Sequence, residues 1–143
     1  IQIMHIRGTE TLELNYDLYD LDTEGNFQTL AFNYSSDEFS VLAYHYPENF
    51  DILVYSLSNA EKKPLKVIKT IYRHDDDYFN YSQYFSNEKL AIIKSDRIAI
   101  YNLKSGSLEK QIARDLVSPY FISENLMWYC FEGKLKMYRN SGS

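Results

Sequence analysis

Acidic and histidine-bearing clusters are where this 143-residue chain could do chemistry. Asp20-Leu21-Asp22-Thr23-Glu24-Gly25 sets carboxylates at alternate positions before a glycine, as a calcium loop of the EF-hand type begins. Such a loop closes on a bidentate glutamate at its twelfth position, which here is Ala31, and no helical pattern flanks it. The segment therefore reads as a turn between strands. His74-Asp75-Asp76-Asp77 is the densest polar cluster; three carboxylates suit a hard cation, and a His–Asp pair could move protons. Adjacent residues of an extended chain point in different directions, so these groups do not converge on one ion. A solvated loop, available for contact with a partner, is the better account.

The remaining candidates weaken in the same way. His5 alternates outward in its strand and His45 ends one, which makes each a surface residue. Cys130 is the only cysteine, so no internal disulfide can form. It lies in Leu126-Met127-Trp128-Tyr129-Cys130-Phe131, an apolar strand that predicts a buried, inert thiol. Trp128 is of a residue type that anchors partners, but its place inside that strand predicts core packing. Five glycines form no phosphate-cradling loop, and no Ser–His–Asp arrangement can be argued. The expectation is a chain with no catalytic residues, no metal and no cofactor.

Composition narrows the partners. A net charge of −5 and a pI near 5.2 argue against a nucleic-acid footprint, which needs clustered Lys and Arg, and give no support for anionic membranes. Apolar runs such as Leu90-Ala91-Ile92-Ile93 are far short of the roughly 20 residues a membrane helix needs. No basic-then-apolar segment opens the chain, so an intracellular location, cytoplasmic or nuclear, is expected. The first residue is Ile1, which suggests a segment of something longer.

The elements that must position any site are strands. Aromatics make up 16% of the chain, and 14 residues are tyrosine, a bias toward half-buried pleated surface. One short strand recurs four times. It reads Ile1-Gln2-Ile3-Met4, then Ile52-Leu53-Val54-Tyr55, Ile98-Ala99-Ile100-Tyr101 and Leu135-Lys136-Met137-Tyr138. Spacings of 51, 46 and 37 residues are those of propeller arrays built from four-stranded blades. The last repeat follows the third at a gapless offset of 37, which sets Phe121 to Asn125 on Tyr84 to Glu88. Val54, Ile100 and Met137 should then be equivalent and buried between blades. Turn-rich links between strands of 5–8 residues indicate an antiparallel meander, and no helix of three turns is expected.

The repeats resemble those of the WD40 type. Phe32-Asn33-Tyr34-Ser35-Ser36-Asp37-Glu38-Phe39-Ser40-Val41-Leu42-Ala43 is similar to the family's "F-S-x-D-G-x-x-L-A" stretch, and the strands from Ile52 and Ile98 are similar to its "I-x-V-W-D-L". Lys104-Ser105-Gly106 resembles the turn that follows. Tyr55 and Tyr101 stand where Trp is usual, Ser56 and Asn102 where Asp is usual, and no Gly-His pair precedes a blade. The family's buried Asp–His network therefore cannot form here in its usual shape. The resemblance implies an all-β fold of consecutive four-stranded antiparallel blades of a β-propeller, and a scaffold that organises protein assemblies. A small closed β-barrel is the alternative fold.

The chain divides as one β-propeller segment, 1–143, with repeats at 1–27 (partial), 28–72, 78–114 and 118–143 (partial). About three blades fall short of the 4–8 of a closed ring, so further blades in the same or another chain are expected partners. The class alternatives are a propeller enzyme with its site on other blades, and a lipocalin-sized barrel holding a small ligand. Turns at 22–26, 46–50, 73–77 and 95–96 should share one face of the disc. They gather acidic groups, an arginine, a histidine and two exposed-looking aromatics, Tyr46 and Phe50. This face predicts a protein partner with a basic segment, contacted by His74, Asp75, Asp76, Asp77, Tyr46 and Glu48.

Overall fold

Period-2 alternation produces strands throughout, and the computed structural model is all-β. It describes residues 2–7, 10–15, 26–33, 36–44, 49–58, 63–73 and 79–140, with side chains from residue 29 onward. Strands β1 (Gln2–Arg7) and β2 (Glu10–Asn15) form a two-stranded antiparallel sheet. The first four-stranded sheet is a meander of β3 (Asn26–Phe32), β4 (Glu38–Tyr44), β5 (Asn49–Ser56) and β6 (Lys66–Arg73). The second repeats that order with β7 (Phe79–Ser86), β8 (Lys89–Lys94), β9 (Arg97–Asn102) and β10 (Ser107–Ala113). The third has three strands, β11 (Tyr120–Ser123), β12 (Leu126–Phe131) and β13 (Lys134–Arg139). These are separate, propeller-like antiparallel sheets. Among the described residues no barrel closes, which removes the small-barrel alternative. No helix among them is long and apolar enough to cross a membrane.

The core lies between sheets, because the middle strands are apolar on both sides. Leu42, Ile52, Val54 and Ile68 of the first sheet meet Leu90, Ile92, Ala99 and Tyr101 of the second. The other side of the second sheet carries Ala91, Ile93, Ile98, Ile100 and Ile112, and packs on Met127, Phe121, Tyr129 and Tyr138 of the third. Burying one such aliphatic side chain stabilises by about 1.5–3 kcal/mol. The recurring strand of the second sheet thus has two sides with different roles. Tyr101 faces the first sheet, and Ile98 and Ile100 face the third.

Polar links lock the first two sheets. Pairing between β5 and β6 is irregular between Asn49 and Asp51. There the Thr70 hydroxyl donates to the Phe50 carbonyl at 2.7 Å, and Asn49 Nδ2 donates to Thr70 O at 2.9 Å. Ile71 N donates to the Tyr101 hydroxyl at 3.3 Å, so the recurring tyrosine of the second sheet satisfies backbone in the first. Lys66 Nζ donates to Leu103 O at 2.6 Å, and the Tyr72 hydroxyl to Gln111 Oε1 at 3.0 Å. Lys94 is buried with its ammonium 4.1 Å from the Tyr72 ring centre, a cation–π contact.

Four expectations need correction. Val54 and Ile100 are buried between sheets, whereas Met137 is 47% exposed, because no sheet covers that side of β13 among the described residues. Trp128 and Cys130, expected in the core, are only half-buried, since alternation puts them on the side of β12 opposite Met127. Phe50, expected to be exposed, is buried with its ring 4.4 Å from that of Phe79. It begins the run of the sheet core rather than ending the loop before it.

Candidate partner-binding face

The chain leaves the second sheet at Ala113 and re-enters the third at Tyr120, and the link between is organised by two side chains. Arg114 is buried. Its Nε donates to Lys94 O at 2.7 Å, and its Nη1 donates to Val117 O at 2.9 Å and Asp115 O at 3.3 Å. A rigid fork of five donors suits this work, since it can satisfy several carbonyls around one buried charge. Burial still draws the guanidinium below its usual pKa. Arg114 N donates to Asp96 O at 3.0 Å, joining the link to the β8–β9 turn.

Asp115 joins the link to the next sheet. Its backbone N donates to Cys130 O at 2.7 Å, and its carboxylate accepts from Glu132 N at 3.0 Å and Gly133 N at 2.8 Å. Glu132 and Gly133 form the two-residue turn between β12 and β13, with φ of 54° and 71°. That pattern matches a type I′ hairpin turn, and a non-glycine residue there costs about 1–2 kcal/mol. The Asp115 bonds to the turn amides offset this strain. One link therefore ties together turns of two consecutive sheets at the same end of the stack.

What the link displays is apolar. Leu116 is 75% exposed and Val117 53% exposed, on a backbone fixed from within by Arg114 and Asp115. Around them lie Asp96, Arg97 and Glu132. Arg97 Nε pairs with Asp96 at 3.1 Å, and its hydrogen bonds hold the Asp96 carboxyl below the ordinary carboxylate range. A rigid apolar pair with a charged rim can bind a polypeptide.

The sequence pointed to other residues. Tyr46, Glu48, His74, Asp75, Asp76 and Asp77 lie outside the described residues, as does the turn at 20–25. Asn49 and Arg73 are paired neighbours at the ends of β5 and β6. Arg73 is exposed, as are Ser95 and Asp96. Sequence reasoning missed Arg114, Asp115, Leu116 and Val117, which fall between or at the borders of its repeats. The Glu132-Gly133 pair between apolar strands was a readable signal for the turn they support.

A second concavity is less promising. A cleft of about 340 Å³ lies where the first strands of the sheets approach, lined by Asn33, Gln83, Tyr84, Asn87, Phe121 and Glu124 among others. Thr29 and Ser82 hydroxyls bond across the inter-sheet seam beside it, and the Ser40 hydroxyl donates to the Tyr84 oxygen. Burial pushes the Tyr84 phenol up to about 12, so it stays neutral and acts as a structural link. Among the described residues no group of three His, Cys, Asp or Glu side chains could hold a metal ion. No protein-family model matches this chain, and a search of curated proteins finds no match either.

Proposed function

We propose that this chain is a non-catalytic protein–protein interaction scaffold built on WD40-like propeller blades and working as a subunit of a larger assembly. The observation that carries this reading is the link at residues 114–119, where Leu116 and Val117 are exposed on a backbone held by the hydrogen bonds of Arg114 and Asp115. Exposed apolar side chains on a mobile loop lose much of their binding energy to ordering; here the ordering is built in. Asp75, Asp76 and Asp77, which lie outside the described residues, favour a basic partner segment by their charge.

The test uses the natural protein and its interactions. L116D/V117D should abolish at least one of them while leaving the melting temperature within about 2 °C, as expected for exposed positions. Charge reversal at Asp75, Asp76 and Asp77 should weaken the same interaction. Unchanged interactions in both variants would overturn the proposal. So would hydrolase or lyase turnover that is lost on mutating His74 or Asp76.

A further inference from the structure

Turns at the same place in the second and third sheets carry their carboxylates differently. Ser95-Asp96 joins β8 to β9, and Glu132-Gly133 joins β12 to β13, at an offset of 37. Both connections are two residues long, yet only the second uses the left-handed region. Among the described residues Glu132 is the one non-glycine at positive φ, 54°. The repeat can therefore join these strands without that conformation.

Glutamate also suits the position poorly. The first place of a type I′ turn favours asparagine, aspartate or glycine, which tolerate φ above zero best. Asp115 makes the glutamate tolerable by accepting from both turn amides, at 3.0 and 2.8 Å. Strain that is kept and braced in this way clusters where a displayed group is used. The Glu132 carboxylate is exposed, and among the described residues nothing pairs with it. In the sister turn Asp96 is neutralised by Arg97, whose Nε and Nη2 donate to it at 3.1 and 3.2 Å. Of the carboxylates beside Leu116 and Val117, those of Asp96 and Asp115 are thus already engaged.

We propose that Glu132 is the specificity-determining residue of the Leu116–Val117 face and receives an arginine or lysine side chain of the partner polypeptide. This rests on the reading of that face as a partner site. Leu116 and Val117 supply apolar contact, and Glu132 selects the charge beside it. Asp115 sets both, because it precedes Leu116 in the chain and holds the backbone of Glu132. A charge on a braced backbone has less freedom to lose on pairing than one on a mobile loop.

The test uses the natural protein and the polypeptide whose binding L116D/V117D abolishes. Glu132→Gln removes the charge and keeps the strain; it should weaken that binding by about threefold to tenfold. It should also flatten the salt dependence of binding between about 0.05 and 0.5 M. Glu132→Lys should weaken binding further than Glu132→Gln. Glu132→Asp keeps the charge in a residue that suits the turn, and should bind more tightly than Glu132→Gln. Glu132→Asn relieves the strain, so it should raise the melting temperature by about 2–4 °C while binding as weakly as Glu132→Gln. A residue with only a structural role would not move stability and binding in opposite directions.

Full affinity in Glu132→Gln, with L116D/V117D still inactive, would overturn this assignment and leave the face itself standing. A lower melting temperature in Glu132→Asn would also overturn it, by showing that the carboxylate is paired within its own chain. If L116D/V117D abolishes no interaction, both readings fall together.

Discussion

The second and third sheets are one design in two environments. Strand β9 reads Ile98-Ala99-Ile100-Tyr101 and is buried on both sides; β13 reads Leu135-Lys136-Met137-Tyr138, and among the described residues only its tyrosine side packs against a neighbour. Alternation fixes which side each residue takes, because the side-chain period is two. Neighbouring sheets then decide what that side is worth. Lys136 shares the tyrosine side but is exposed, at the position where the second sheet sets Ala99 against the first.

Removing the recurring tyrosine separates the two most strongly. Tyr101→Ala should cost about 3–5 kcal/mol, because it opens a cavity between sheets and leaves Ile71 N without its acceptor. Tyr138→Ala, at a half-buried site, should cost less than half as much; chemical denaturation of both variants checks this. Equal losses would mean that the third sheet is packed as fully as the second.

Much of this plan was legible in the chain, and the part that was not has a physical cause. The apolar run Leu126 to Phe131 is β12 itself, and the gapless offset of 37 placed Leu135 to Tyr138 inside β13, which runs one residue further at each end, because strand length and turn spacing are local properties. Burial is not local. Met137 and Trp128 have core-like types in a core-like pattern, yet they face a side that no described sheet covers. Arg114 and Asp115 were illegible for a related reason. A charged pair after a strand reads as solvated loop, and only the folded turns show that its partners are backbone groups of two sheets.

The link itself gives the next largest effect. Asp115→Ala should destabilise by about 1–3 kcal/mol, through the loss of two charge-assisted hydrogen bonds to the turn amides and an unsupported Glu132. The loss is local, so hydrogen exchange should accelerate in β12 and β13 and stay unchanged in β8 and β9. Uniform acceleration would show that the two sheets unfold as one unit.

The smallest effect concerns pH. Burial acts to raise the Glu109 pKa, but hydrogen bonds from Lys89 and Asn102 and the Lys89 charge outweigh it, holding the carboxyl below its ordinary 4.5. A depressed carboxyl contributes stability that is present above its unfolded pKa and fades as pH falls through the folded one. The stability difference between wild type and Glu109→Gln should therefore be constant from pH 7 to about 5 and shrink below about 4.5. A difference that grows on acidification would reverse the assignment.

The central claim is that, among the described residues, the third sheet leaves exposed the side that the second sheet buries. Ile100 and Met137 occupy the same position in the repeat, 1% and 47% exposed. Urea denaturation of Ile100→Ala and Met137→Ala in the 143-residue chain compares them directly. The account predicts a loss of about 2–5 kcal/mol for Ile100→Ala and no more than about 1 kcal/mol for Met137→Ala. Comparable losses at the two positions would contradict it, because Met137 would then already be covered within the chain.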